Sequence, residues 1–364
     1  MNTKTSPFES CYKVCVNVSI LFLTLLLSMF VSITASSEAA ERETNIFGAA
    51  AIVDYSIVSG GVEDGAALRG LFGLSLNSDL EKYTSIKGLS ISINYSIKRG
   101  DEGGDFSGDI QGFSNIDAED HTEFSEVYFE HQVNDNFKYK IGQMDANAEF
   151  SYADNAGDFI NSSMGFSPTV FTLPTYPDPV FAFNAFYEIS DNGGLSFGYF
   201  DGTGGESNFD DAFWVLEGHY QYQSDSTIKL GYWSHDGEFD TVEGLVESGS
   251  GDIYLVIDHT ISEKYGFYVQ FGNADYQISE ISSHFGAGFV WKQPFKGRSD
   301  SSFGFGLSQV ELGFEAGSER AIELYYRWEW NEYLVVKPNL QFIFEPSGIY
   351  DNAIVFTVRF ESEI

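Results

Sequence analysis

Residues 321–330, AIELYYRWEW, alternate between apolar and polar side chains along the whole segment. One face of this segment carries Ile322, Leu324, Tyr326, Trp328 and Trp330. The opposite face carries Glu323, Tyr325, Arg327 and Glu329. Successive side chains of a β-strand point to opposite faces, so this segment predicts a strand with one apolar face and one face in water.

The same alternation recurs along the chain after residue 45, for example in LSISINYSIK at residues 89–98. Soluble sandwiches also alternate, but here the charged residues oppose an apolar side that is rich in aromatic rings near the strand ends. An apolar outer band with aromatic girdles around a wet interior is typical of a transmembrane barrel. We therefore predict sixteen strands, at residues 45–58, 66–77, 86–98, 123–133, 136–144, 180–190, 194–202, 211–223, 226–235, 250–260, 264–272, 283–293, 301–310, 320–330, 334–344 and 352–362.

The connections between these strands alternate in length. Short turns have the sequences VNDN, SDNG, SDS, SEK and WNE, and longer connections lie at residues 99–122, 145–179, 236–249, 273–282 and 345–351. With both chain ends on the inner side, the long connections are odd-numbered and the short turns even-numbered. Outer-membrane barrels have short inner turns and longer outer loops. The fold class predicted is therefore all-β, a transmembrane antiparallel barrel of about sixteen strands.

Composition narrows the possible functions. The chain has 54 Asp and Glu against 19 Lys and Arg, for a net charge of -35. Nucleic acid is excluded as a partner, since phosphate contacts need clustered cations. The sequence contains no G-x-S-x-G, H-E-x-x-H or Walker motif, and its six His residues lack metal-ligand spacing. We therefore expect no catalytic residue, no cofactor and no metal site.

The first 39 residues have the features of a cleaved secretory signal peptide. Lys4 and Lys13 precede a short apolar core at residues 20–31, and small residues follow in TASSEAA. An uncleaved anchor helix is the alternative, but the apolar run is short for a membrane span. Both cysteines, Cys11 and Cys15, lie in this segment. Residues 40–364 are then predicted to form the outer-membrane barrel, without disulfides.

We expect protein from the outer-membrane fraction to begin between residues 36 and 41, because signal peptidase cleaves after small residues that follow an apolar core. N-terminal sequencing measures this directly. Recovery of intact Met1 from that fraction would contradict the cleavage.

The longest connection, residues 145–179, is the third outer loop. Long loops without structure are usually functional or disordered, and this one carries too many rings for a solvated segment. The rings are Phe150, Tyr152, Phe159, Phe166 and Phe171. We predict that the loop folds into the barrel lumen and narrows it. A cap over the mouth and a contact with a neighbouring barrel are the alternatives.

Two stretches resemble the carbohydrate-selective porin family of outer membranes, the OprB type. The first is SEVYFEHQVNDNFKYKIGQMDANAEFSYADNAGDFINSSMGF, with family motif positions at Glu126, Gly142, Gln143, Asp145, Phe159, Asn161 and Ser162. The second is ELYYRWEWNEYLVVKPNLQFIFEPSG, with Glu323, Tyr326, Pro338, Gln341 and Pro346. The resemblance covers about residues 45–364. It implies a sixteen-stranded barrel that takes up sugars by diffusion.

A sugar needs hydrogen bonds that replace its water and flat apolar surfaces for its C–H faces. Alternation directs several polar side chains to the lumen, where the inserted loop would add two more residues. The candidates for a sugar-binding constriction are Arg69, Glu126, Lys140, Phe159, Asn161, Glu323, Arg327 and Gln341. For each of them the alternative role is to hold the loop against the lumen wall.

Three classes of function compete for this sequence. A porin for passive diffusion of carbohydrates and other small hydrophilic solutes is the first. A general or cation-preferring porin without sugar selectivity is the second, and the net charge of -35 favours it. A barrel enzyme or adhesin is the third, and the lack of a nucleophile motif counts against an enzyme. In each case we expect the protein to lie in a Gram-negative outer membrane and to contact its lipid and lipopolysaccharide. The sequence leaves both a monomer and a homo-oligomer open.

Overall fold

The computed structural model describes residues 45–170, 173–203, 209–241, 244–298, 301–313 and 317–364. The predicted signal peptide lies outside them. Sixteen strands fill the described chain. They are β1 Asn45–Gly61, β2 Gly65–Asp79, β3 Leu89–Gly100, β4 His121–Asn134, β5 Phe137–Met144, β6 Val180–Ser190, β7 Gly193–Asp201, β8 Ala212–Gln223, β9 Ser226–Asp240, β10 Val246–Ser262, β11 Tyr265–Asn273, β12 Ile281–Lys292, β13 Ser301–Leu312, β14 Ser318–Asn331, β15 Leu334–Phe344 and β16 Asp351–Glu363.

The strands form one closed barrel, because the first strand pairs with the last. All neighbours are antiparallel, and β1 joins β16 in a register that places Asp54 opposite Arg359. Closure leaves no unpaired strand edge, which a membrane-spanning sheet requires. The predicted fold and strand count are confirmed.

Several strands continue beyond their predicted ends on the outer side. The largest extension is in the hairpin of β9 and β10, where Val246 still pairs with Asp240. The predicted strands stopped at residue 235 and resumed at 250. Beyond residue 235 this hairpin is mostly polar and no longer alternates, although the backbone hydrogen bonds continue. The sequence pattern therefore marks the membrane-embedded part of these strands.

The two faces of the strands are arranged as the alternation predicted. On β14, Glu323 and Tyr325 are buried towards the lumen, whereas Trp330 is 61% exposed on the outer wall. Several lumen tyrosines cover a glycine on the neighbouring strand. A Cβ on Gly304 would lie 2.1 Å from the Tyr325 ring, so only glycine fits beneath it. The same arrangement places Tyr254 over Gly231 and Tyr268 over Gly288.

The helices are short and belong to the connections between strands. They are α1 Glu81–Thr84, α2 Gly104–Ser107 and α3 Ser162–Gly165, with 3-10 turns at Asp154–Ala156 and Pro346–Gly348. Within the described residues, none of them is long and apolar enough to cross a membrane. Two of them, α2 and α3, belong to long outer connections, which are called loop 2 (residues 101–120) and loop 3 (residues 145–179) below.

Candidate functional site

Loop 3 lies inside the barrel, and a lumen carboxylate holds its centre. Glu323 of β14 accepts hydrogen bonds from the backbone N–H groups of Ile160, at 2.8 Å, and Asn161, at 3.0 Å. The Asn161 side chain caps α3 by accepting from the N–H of Ser163, and it donates to Gln341 of β15. Carboxylates accept strong hydrogen bonds from backbone N–H groups. The predicted inward position of loop 3 is confirmed.

Two other strand carboxylates hold the same loop further round the barrel. Glu217 of β8 accepts from the N–H of Ser151 at 3.0 Å and from the hydroxyl of Tyr254 at 2.8 Å. Asp258 of β10 accepts from the N–H of Asn155 at 2.9 Å. The loop backbone is therefore anchored along a wide arc of the wall, from β8 to β14.

Aromatic packing adds to these polar anchors. The ring of Phe159 lies edge-on to Tyr325, at 4.8 Å between centroids, and to Tyr268, at 5.7 Å. Phe150 packs against Phe200 at 6.2 Å. Both loop phenylalanines are almost fully buried. Each buried ring stabilises the docked loop by roughly 1.5–3 kcal/mol.

Loop 2 also folds inward, which the sequence analysis did not predict. Glu319 of β14 accepts from the N–H groups of Ile110, at 2.9 Å, and Gln111, at 3.2 Å. Phe113 is fully buried, and its carbonyl accepts from the side chain of Gln341 at 2.7 Å. Gln341 thus contacts both loops, because its Oε1 accepts from Asn161. The isolated rings of loop 2 are the sequence signal that could have revealed this docking.

Two of the predicted lumen cations are paired with acidic groups of the inserted loops. Arg69 donates to Asp117 of loop 2 at 3.2 Å, and its guanidinium lies 4.8 Å from the Phe113 ring centroid. Lys140 bonds Glu149 of loop 3 and lies over the ring of Tyr128. Neither cation is free to meet a solute, because both charges are buried against loop residues.

The side chain of Arg327 is more exposed to solvent than those of Arg69 and Lys140. Its side chain is 25% exposed and forms ion pairs with Asp158 of loop 3, at 3.4 Å, and Glu329, at 2.8 Å. Lys337 reaches the same Asp158 at 3.6 Å. The two cations therefore tie loop 3 to β14 and β15.

A cavity of about 360 Å³ stays open between strands β1–β4 and the two ends of loop 3. Pockets that hold small ligands have volumes of about 300–1,000 Å³. The lining combines apolar residues of the wall with polar groups and two tyrosines, Tyr95 and Tyr176. It includes Ala50, Ile52, Leu71, Gly73, Ser75, Asn94, Ser96, Glu126, Asp145, Ala148, Tyr176, Pro179 and Glu363. The cavity is therefore amphipathic.

Polar contacts fix the acidic groups of this cavity. Glu126 accepts from Asn94 at 2.7 Å and from the N–H of Asp145 at 3.2 Å. Asp145 in turn accepts from the hydroxyl of Thr175 at 2.7 Å and the N–H of Tyr176 at 3.1 Å, so it joins the two ends of loop 3. Burial raises the pKa of the Asp145 carboxyl, and these hydrogen bonds oppose the shift.

The eight predicted site residues are all described, and they separate into three groups. Glu126 is the one that lines the open cavity. Arg327 is partly exposed beside loop 3. The other six are buried in contacts between the inserted loops and the wall: Arg69, Lys140, Phe159, Asn161, Glu323 and Gln341. Their part in a sugar-binding constriction stays a prediction, while Tyr176, Asp145 and Asn94 were not among the predicted site residues.

A closed sixteen-stranded barrel whose lumen is narrowed by an inserted third loop defines the class of outer-membrane porins. The family model described as carbohydrate-selective porin, OprB family, matches residues 63–363. The chain belongs to this family. The family and the fold are those of a carbohydrate channel of the outer membrane and not of an enzyme.

Solved structures show the same fold at low sequence identity. The high-pH structure of Pseudomonas putida OprB is 17% identical, with a TM-score of 0.80, and the match covers 88% of this chain and 94% of that one. Its low-pH structure is 16% identical, with a TM-score of 0.59 and coverage of 88% and 93%. OmpT of Vibrio cholerae is 11% identical, with a TM-score of 0.57 and coverage of 90% and 100%. Comparison with curated proteins gave no match.

Proposed function

We propose that small neutral sugars cross this channel through the cavity between β1–β4 and the ends of loop 3. The observation that carries the proposal is the amphipathic lining of that cavity. Tyr176 and the apolar wall at Ile52 and Leu71 offer flat surfaces for the C–H faces of a sugar. Asn94 and Glu126 offer hydrogen bonds that replace water. Such contacts are few, which keeps binding weak enough for release.

The buried members of the predicted constriction then have an indirect role. Glu323, Asn161 and Gln341 hold loop 3 in place. Because the ends of loop 3 form one side of the cavity, this anchoring sets its width. Arg327 and Lys140 support the same loop through their ion pairs with Asp158 and Glu149.

We expect Tyr176→Ala to weaken sugar block of the single-channel current by about fivefold, since a lost stacking surface costs about 1 kcal/mol. The measurement is the sugar concentration that halves the blockable current. Tyr187→Ala, on the lipid-facing row of β6, is the matched control and should leave block unchanged. Equal block in wild type and Tyr176→Ala would remove this cavity from the pathway.

Cation preference over anions is a second property that we propose. The eight outer connections between the strands contain 22 Asp and Glu residues and no Lys or Arg. A mouth lined by one sign of charge concentrates ions of the opposite sign. Anionic solutes are therefore disfavoured before they reach the lumen.

Reversal potentials in a salt gradient test the charge preference. Wild type should favour cations, and the preference should shrink in the quadruple variant Glu102→Gln, Asp105→Asn, Glu119→Gln and Glu280→Gln, whose positions are exposed on outer loops. The matched control neutralises four inner-turn acids: Asp135→Asn, Asp191→Asn, Glu263→Gln and Glu332→Gln. We expect a smaller change there. An anion-biased wild-type potential would contradict the proposal.

The outer wall is proposed to contact lipid and, on the outer leaflet, lipopolysaccharide. Large apolar side chains are exposed along it, including Leu74, Phe124 and Leu230. Such a surface is stable only against acyl chains or another apolar wall. Assembly of identical barrels through part of this wall stays a prediction.

A further inference from the structure

The inner turn between β12 and β13 is unusual in this acidic protein. Residues 291–298, WKQPFKGR, contain three cations and no acid, although the whole chain has a net charge of -35. Connections between even-numbered and following strands lie on the inner side of the membrane, so this turn lies at the inner rim. The cations are Lys292, Lys296 and Arg298.

This turn folds back along the outer wall. The Arg298 guanidinium lies 4.4 Å from the ring centroid of Trp328, and its Nη1 donates to the Tyr326 hydroxyl at 3.2 Å. The ring of Phe295 lies edge-on to Tyr326 at 5.7 Å. Tyr326 and Trp328 belong to the lipid-facing row of β14. The turn therefore places Arg298 beside lipid and away from the lumen.

Exposed aromatic rings lie at the same end of the barrel as Arg298. Phe295 is 59% exposed, and Trp330, which packs on Trp328, is 61% exposed. Aromatic rings at a membrane interface sit at the level of the lipid head groups. The backbone N–H of Lys292 donates to the carbonyl of Lys264, so a fourth cationic residue lies on the adjacent turn.

We propose that this basic and aromatic patch binds an anionic phospholipid of the inner leaflet, with the lipid phosphate at Lys296 and Arg298 and its acyl chains along Phe295 and Trp330. Charge complementarity favours this occupant, because cations beside a membrane surface attract anionic head groups. Arg298 is held in position by Trp328 and Tyr326. Phosphate binding therefore costs it little conformational entropy.

Quenching of tryptophan fluorescence by brominated lipids tests the proposal, since Trp328 and Trp330 lie at the patch. The full barrel is reconstituted in vesicles that contain either brominated phosphatidylglycerol or brominated phosphatidylcholine. All forms carry Trp214→Phe to remove one lipid-facing tryptophan of another strand. We expect quenching to report preferred binding of phosphatidylglycerol, by about fivefold or more.

Lys296→Gln with Arg298→Gln should abolish this preference, and Arg298→Lys should retain most of it. Lys82→Gln with Lys87→Gln removes two cations of another inner turn and should leave the preference intact. Heat-modifiable mobility on gels shows whether each variant has folded. Equal quenching by the two lipids in the parent protein, or an equal loss in both double variants, would overturn the proposal. Loss of an oligomer without any lipid preference would assign the patch to a second copy of the chain.

Discussion

Deletion of residues 152–170 is expected to raise single-channel conductance by about two- to fivefold, since sixteen-stranded barrels have room for an aqueous channel when nothing fills the lumen. The deleted segment contains the Phe159 ring, α3 and the backbone groups that Glu323 holds. The wall itself should persist, because every strand keeps both of its neighbours. The measurement is the conductance of purified protein in planar bilayers.

The same deletion should also weaken discrimination between small and large sugars, because the ends of loop 3 would lose their support. Heat-modifiable mobility on gels serves as the control for a folded barrel. A folded deletion variant with wild-type conductance and wild-type sugar block would show that loop 3 does not set the pore.

Glu323→Ala is the point substitution with the largest expected effect. The change leaves the buried N–H groups of Ile160 and Asn161 without an acceptor, and it also removes the partner of the Asn339 side chain. Each unsatisfied buried donor costs about 1–3 kcal/mol. The docked state of loop 3 should therefore lose about 3–5 kcal/mol against an undocked one.

We expect the current of Glu323→Ala to fluctuate between the wild-type level and a larger one as loop 3 leaves the wall. Glu329→Ala is the control, since it lies on the same strand and pairs with Arg327 at the partly exposed end. A steady wild-type current from Glu323→Ala would show that the aromatic contacts alone hold the loop.

The barrel could be predicted because its cause is local. Each strand must present apolar residues to lipid and polar residues to the lumen, so AIELYYRWEW and its counterparts carry the fold in their period. The inward position of loop 3 could be predicted from its rings. The docking of loop 2 was missed, because Phe113 stands alone among polar neighbours and its partner Gln341 lies 228 residues away.

The candidate site was less predictable than the fold. Alternation directs Glu323 and Gln341 to the lumen, but it does not show which lumen side chains the inserted loops will cover. The two ends of loop 3, at Asp145 and Tyr176, pack against the wall at β1–β4. Which lumen side chains stay exposed to the cavity depends on this packing. These contacts join residues that are far apart in the sequence, so the spacing of residues along the chain does not predict them.

The net charge of the chain predicted the charge of the channel mouth and lumen only in part. The outer connections between the strands contain acidic residues and no Lys or Arg. Cationic side chains lie instead on the lumen wall, at Arg69, Arg327, Lys337 and Arg359. Arg359 donates two hydrogen bonds to Asp54, the residue opposite it across the closing seam. Net charge alone could not separate a negative mouth from a lumen of paired charges.

Titration of the wild-type single-channel current with a neutral sugar tests the central claim most directly. A carbohydrate-selective channel with a binding cavity should lose current along a saturable curve as the sugar concentration rises, because a bound sugar obstructs ions in the narrowed lumen. Saturation is expected at sugar concentrations where the bulk conductivity of the solution has changed little. A current that falls only in proportion to bulk conductivity, without saturation, would contradict it.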